Sequence, residues 1–189
     1  MGFLTNFFKK DKPEKNKKEP SLVQIKSGGM IRVINYGPEM ETIDVQIERK
    51  NMYSQDKFCW YELQGQGSNG QQIFIEIDQE DQLEIDITLE RDLPLPELGV
   101  SFEQLEKIDD LEAGEIKFRG KIYEYDDSDE AFFYRDSDKN YGRKFYYWDF
   151  YNEAEGETLS IKKFERGSEK VTLMQSLRED QIEIISSGV

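Results

Sequence analysis

The chain carries the same strand–turn–strand pattern twice. The first copy has an aromatic strand, Trp60-Tyr61-Glu62-Leu63, a break that ends in Asn69-Gly70, and an apolar strand at 73–77. The second copy has Tyr147-Trp148-Asp149-Phe150, a break that ends in Glu155-Gly156, and an apolar strand at 159–164. Setting Tyr61 on Trp148 also sets Glu62 on Asp149 and, with a one-residue gap, Gly70 on Gly156. Each copy predicts a β-hairpin, and the repetition predicts two similar β modules.

Apolar and polar residues alternate with a period of two along most of the chain after Pro20. Ile43, Val45 and Ile47 alternate with polar neighbours, and residues 83–89 do the same. This pattern is typical of half-buried antiparallel strands with carboxylates on the solvated face. Further runs of this kind lie at 22–25, 30–34, 58–63, 73–77, 117–125, 131–135, 144–151, 158–164, 171–177 and 181–185. The sequence therefore predicts an all-β fold, an antiparallel sandwich or barrel built from two similar modules by internal duplication.

One short helix interrupts the strands. Ser101 stands three residues before Gln104, as in a capping box, and an apolar stripe follows through Ile108. Pro94-Leu95-Pro96 separates the two copies. We therefore divide the chain into a lysine-rich tail at 1–20, a first module at 21–97 and a second at 98–189, with the two modules packed as one unit.

Charge and residue types exclude several classes of function. The formal net charge is −15, and the first 20 residues hold six lysines against three acids, so the other 169 residues carry −18. Such a body repels phosphate backbones, which disfavours nucleic-acid binding. The chain has no histidine, which excludes His-ligated metals and His-based triads. Its single cysteine, Cys59, cannot form an internal disulfide, favours a reducing cytoplasm and is expected in the core.

The N-terminal tail combines apolar residues with lysines. Phe3 and Phe7 are four residues apart, as are Leu4 and Phe8, and Lys9 and Lys10 follow them. On a helix the four apolar side chains would share one face. We predict either a leader without fixed structure or a weak anchor on the inner face of the membrane, with Phe3, Leu4, Phe7, Phe8, Lys9 and Lys10 as its contacts.

Several motifs suggest chemistry without supplying it. Asp136, Asp138 and Asn140 open like a calcium loop, but Tyr141 and Tyr147 stand where the EF-hand needs Gly and Glu, so a hairpin tip is expected. Residues 126–130 look like an acidic turn. Ser-x-x-Lys at 54–57 and at 160–163 falls in or beside strands rather than at a helix start. We therefore predict no catalytic residue, no metal and no cofactor.

The strand at 144–151 is aromatic on both faces. Alternation should leave one face solvated. Either the strand is covered on both faces, or one face is a contact surface for another molecule.

The repeated motifs resemble a known family. At residues 58–63 and again at 146–150, the chain is similar to the bacterial family called domain of unknown function 4178, and the similarity extends over most of 22–185. Leu159-Ser160-Ile161 also fits its pattern, whereas Ile73-Phe74-Ile75 stands where a Trp-Leu pair is usual. The resemblance implies no established activity and no catalytic residues, and only loosely a setting among genes for membrane stress and polyamine metabolism.

Three functions follow as hypotheses. The first is a non-enzymatic cytoplasmic module that binds another protein through Trp60, Glu62, Tyr147, Trp148 and Asp149, with weak membrane-surface contact through the tail. The alternative is a binding protein for a small polyamine-like cation, held in a cleft between the modules and lined by Trp60 and Trp148. The third is hydrolysis by Glu62 and Asp149, which requires both carboxylates to face one cleft within ~10 Å.

Overall fold

A computed structural model describes residues 21–79 and 82–188, and these residues form an antiparallel sheet of 11 strands with one α-helix. The strands are β1 (Met30–Tyr36), β2 (Glu41–Gln55), β3 (Phe58–Gly67), β4 (Gln72–Asp78), β5 (Glu84–Arg91), β6 (Glu115–Phe118), β7 (Lys121–Tyr134), β8 (Gly142–Asn152), β9 (Glu157–Phe164), β10 (Glu169–Ser176) and β11 (Ile182–Ser186). The helix α1 spans Phe102–Leu111. The predicted all-β class with one short helix is confirmed.

The sheet closes on itself. Its order is β11-β1-β2-β3-β4-β5-β10-β9-β8-β7-β6, and β2 also pairs with β7. That last pairing joins Met52, Tyr53 and Ser54 to Tyr134, Phe133 and Phe132. Eight strands therefore form a ring, β2-β3-β4-β5-β10-β9-β8-β7, while β1 with β11 and β6 extend it at two edges.

The two halves of the ring have the same pairing order. Strands β1 to β5 pair each with the next, and so do β6 to β10. The halves join where β2 meets β7 and where β5 meets β10, so each joint links strands at the same place in the two series. The hairpin turns of β3–β4 and β8–β9 contain Gly70 and Gly156 at φ 83° and 62°, a backbone region that glycine adopts at no steric cost.

Each half has an apolar core of its own. The first consists largely of the odd-numbered side chains of β1 to β5, such as Ile75 and Ile87. The second includes Trp148, Phe150 and Leu159, and α1 covers it through the fully buried Leu105. Ser101 caps α1 and forms the expected capping box with Gln104. The helix continues three residues beyond the predicted end at Ile108.

Four local predictions are wrong. The run at 117–125 is not one strand, because Arg119 and Gly120 form a turn that separates β6 from β7. The run at 22–25 is a short 3-10 helix, Leu22–Gln24, rather than a strand, because four apolar-rich residues fit either period. Residues 126–130 are not a turn but part of β7, which passes through them with a bulge near Tyr125 and Asp127. Cys59 is exposed, because it lies near the tip of the β2–β3 hairpin and points away from the face that carries Trp60.

Candidate functional site

Each strand of the ring has one face toward a core and the other toward the ring interior, and the side chains of the second face meet there. Tyr53 of β2 packs against Phe145 of β8, with ring centroids 5.8 Å apart, and Trp60 of β3 lies edge-on to Tyr147 at 6.5 Å. These contacts cross from one half of the chain to the other. The strand at 144–151 is therefore covered on both faces, by the second core on one side and by the ring interior on the other.

Two buried ion pairs cross the middle of the ring. Lys162 of β9 lies 2.9 Å from Glu76 of β4, and Lys170 of β10 lies 3.3 Å from Glu62 of β3. The side chains of Lys162 and Glu62 are only 3% and 4% exposed. We call these four residues the ion-pair layer. Because charges in such a place must be paired to be tolerated, the layer fixes how the two halves face each other.

The charges of this layer depend on one another. Burial opposes the charged form of Lys162, but Glu76, Asp149 and Glu62 outweigh it, so its pKa lies above the ordinary value. Burial likewise opposes the charged form of Glu62, but Lys170 and a hydrogen bond from Asn51 outweigh it, and its pKa is lowered. Burial and neighbouring cations leave the pKa of Lys170 lowered. Oppositely charged neighbours thus favour the charged forms of Lys162 and Glu62 against the cost of burial.

An acidic cavity of about 760 Å³ opens at one end of the ring. Its volume lies in the range of small-molecule sites. Seven carboxylates and one cation, Lys162, line it. The carboxylates are Glu76, Asp78, Glu84, Asp86, Asp126, Asp127 and Asp149.

Burial changes the acidity of three of these carboxyl groups. It raises the pKa of Asp149 to about 7, although nearby Lys162 acts in the opposite direction. It raises the pKa of Asp86 to about 6, against a hydrogen bond from Ser176, and it also raises that of Asp126. The Oδ1 atom of Asp149 is buried and has no hydrogen-bond partner among the described residues. The cavity therefore holds one carboxyl oxygen, on Asp149, that is buried without a hydrogen-bond partner among the described residues, which is costly unless a ligand supplies one.

Aromatic rings form part of the cavity wall. Phe58, Trp60, Tyr147 and Tyr151 line it. Trp60 is fixed by stacking on Tyr53 with centroids 5.2 Å apart, and the hydroxyl of Tyr147 donates to Asp127 at 2.7 Å. Ring faces beside carboxylates attract organic cations both by charge and by cation–π contact.

The structure separates the five residues predicted as a contact surface. Trp60, Tyr147 and Asp149 line the acidic cavity. Glu62 belongs to the ion-pair layer and lines the pocket at the other end of the ring instead. Trp148 is 2% exposed in the second core, so Tyr147 and not Trp148 faces Trp60, because neighbouring residues of a strand point to opposite faces.

Glu62 and Asp149 do not share a cleft. Glu62 accepts hydrogen bonds from Asn51 and Tyr53 and faces Lys170, whereas Asp149 lines the acidic cavity. The two carboxylates thus lack the arrangement that the hydrolysis hypothesis requires. The two residues occupy equivalent positions because the strand pattern is repeated, and not because they belong to one site.

Sequence reasoning missed Glu76, Asp86, Lys162 and Lys170. Glu76 and Asp86 each stand between two isoleucines, a pattern that predicts a carboxylate on the solvated face of a strand, and Lys170 precedes the predicted strand at 171–177. A usable signal was present at Lys162, which lies two positions after Ser160 on the face of β9 opposite to Leu159 and Ile161. Because lysine is almost never fully buried unless it is paired, burial of this face would require a partner of opposite charge.

The predicted membrane contacts Phe3, Leu4, Phe7, Phe8, Lys9 and Lys10 lie outside the described residues. Within the described ranges, no helix has the length and apolar character needed to cross a membrane.

Comparison with known proteins gives one match. The family model described as "Domain of unknown function (DUF4178)" matches residues 39–178, which contain all eight strands of the ring and α1. No curated protein and no solved structure matches the chain.

Proposed function

The chain belongs to the DUF4178 family, whose description assigns no activity, and we propose that it binds a small organic cation of the linear polyamine class in the acidic cavity. The observation that carries the proposal is the seven-to-one excess of carboxylates over cations in a cavity of about 760 Å³. An ammonium ligand would supply a partner to the Oδ1 atom of Asp149, which has none among the described residues.

The spread of the carboxylates favours an extended ligand with several amines. The acids come from β4, β5, β7 and β8, so they surround the cavity rather than meeting at one point. Among the residues that the structure describes, no group of three or more His, Cys, Asp or Glu side chains is arranged to hold a metal ion. A polyamine carries its charges several ångströms apart on an apolar chain, which suits separated carboxylates with aromatic rings between them.

Asp149 couples the proposed binding to pH. Its carboxyl group has a pKa of about 7, so it is largely protonated at pH 6 and largely ionised at pH 8. A cation binds the ionised form more tightly and releases the proton. Affinity for the cation should therefore rise between pH 6 and pH 8.

Calorimetric titration with spermidine tests the proposal. We expect heat of binding to wild type and a loss of about tenfold in affinity in Asp149→Asn, because one charge-assisted contact is removed. Asp110→Asn is the matched control, since it makes the same change on the exposed side of α1 and should leave affinity unchanged. Absence of binding to wild type at pH 8, or equal losses in both variants, would contradict the proposal.

The protein-interaction role has less support from the geometry. Glu62, Tyr147 and Trp148 are at most 6% exposed, so they offer little surface to a partner protein. Such a partner, contact of the tail with a membrane and a cytoplasmic location stay predictions. The shared pairing order of β1–β5 and β6–β10 supports the proposal of an internal repeat.

A further inference from the structure

The opposite end of the ring interior carries the opposite charge. A pocket of about 440 Å³ lies there, beyond the ion-pair layer. Five cationic side chains and two acidic ones line it. They are Arg49, Arg91, Arg135, Arg143 and Lys170, with Glu62 and Glu169. In a chain with a net charge of −15, such a concentration of cations is an exception that needs a physical reason. We call this site the basic pocket.

Arg91 is held in the basic pocket without a full set of partners. Its guanidinium lies over the ring of Phe74, 3.4 Å from the centroid, and its Nη1 atom stands 4.0 Å from Glu62 Oε2. That distance is too long for a hydrogen bond, and Nη1 is buried with no hydrogen-bond partner among the described residues. A buried guanidinium nitrogen without an acceptor is costly, and an oxyanion in the pocket would supply that acceptor.

Two further cations have capacity for an anion. Arg143 lies over Phe164 at 4.4 Å and donates a hydrogen bond to the Ser168 hydroxyl, a neutral acceptor. Lys170 has Glu62 as its acidic neighbour, but it shares Glu62 with Arg91. Arg49, by contrast, already pairs with Asp136 at 2.8 Å.

We propose that the basic pocket binds the oxyanion group, phosphate or carboxylate, of a small anionic ligand through Arg91, Arg143 and Lys170. Arginine presents two parallel donors to such a group, and the aromatic rings under Arg91 and Arg143 hold their guanidinium planes in place. The lining residues differ from those of the acidic cavity, so this inference does not depend on the proposed cation site.

Amide NMR titration of the full chain tests the inference. Inorganic phosphate and acetate are added separately, each against sodium chloride at equal ionic strength. We expect amide shifts at residues of the basic pocket with at least one oxyanion and not with chloride. The oxyanion that binds more tightly identifies the group, phosphate or carboxylate, that the pocket prefers. Arg143→Gln should weaken that affinity about tenfold. Arg178→Gln, which removes an exposed arginine outside the pocket, should leave it unchanged.

Arg91→Lys provides a second variant that keeps the positive charge. It should fold, since the charge near Glu62 is retained, but bind the oxyanion more weakly, because the paired donors are lost. The inference is overturned if neither oxyanion shifts pocket amides beyond chloride, if Arg143→Gln and Arg178→Gln weaken binding equally, or if only a long acidic polymer such as polyglutamate binds.

Discussion

At the scale of single residues, Asp149 has a carboxyl group whose charged form is disfavoured by burial. An unfolded chain gives Asp a pKa of about 3.9, whereas burial raises that of Asp149 to about 7. The folded state therefore binds the proton more tightly, and the contribution of Asp149 to the free energy of unfolding falls as the pH rises from about 4 to about 7. This destabilising charge is consistent with a position kept for a ligand.

Asp149→Asn should stabilise the ligand-free protein at high pH. At pH 8 the variant removes an ionised buried carboxylate, and we expect a gain on the order of 3 kcal/mol in the free energy of unfolding. At pH 4 the carboxyl group is protonated in the folded protein, so the gain should be close to zero. Urea denaturation of both proteins at the two pH values measures the difference. A gain of the same size at both values would show that ionisation of Asp149 is not its cause.

At the scale of elements, the period-two pattern of β4 and β9 places Glu76 and Lys162 on the polar face of their strands. The pattern does not show whether that face points to solvent or into the ring. The sequence predicts most strands, the capped helix and the glycine turns, because these depend on local patterns. It assigns the polar face of each strand to solvent. The three-residue pairing of β2 with β7 closes the ring and turns that face inward. Such a contact between distant residues leaves no local signal, so the ion-pair layer and the basic pocket were not predicted. A cleft between the modules lined by Trp60 was predicted, but with Trp148 in the place that Tyr147 occupies.

Breaking the ion pair between β4 and β9 should be costly. Lys162→Met leaves Glu76 and Asp149 without their buried cation, and we expect a loss of about 3–5 kcal/mol in the free energy of unfolding. Adding Glu76→Gln should recover part of the loss, since one uncompensated charge disappears. Lys163→Met is the control, because that lysine lies on the other face of β9, over the ring of Phe102, and should cost less than about 1 kcal/mol. Chemical denaturation at pH 7 measures the free energy of unfolding of the wild type and of the three variants. Equal losses in Lys162→Met and Lys163→Met would contradict the assignment of Lys162 to a buried ion pair.

At the scale of the whole molecule, the ring separates charges along its interior. The acidic cavity and the basic pocket lie at opposite ends, and the ion-pair layer lies between them. Both halves contribute residues to each end, so neither half could form either site alone. The net charge predicted an acidic body but could not indicate this separation of charges. The separation depends on which ends of the antiparallel strands meet in the ring.

The shared interior should make the two halves unfold together. Strand pairings β2–β7 and β5–β10 and both buried ion pairs cross the boundary between the halves. Ile75→Ala in the first core and Leu159→Ala in the second remove side chains that are at most 1% exposed, and each should cost about 2–5 kcal/mol. We expect either variant to move a single transition, seen alike by tryptophan fluorescence and by circular dichroism. Ile185→Ala, at a residue that is 44% exposed, is the control and should change stability by less than about 0.5 kcal/mol. Two separate transitions, with each core variant moving only one of them, would mean that the halves are independent domains and that the ring interior contributes little to holding them together.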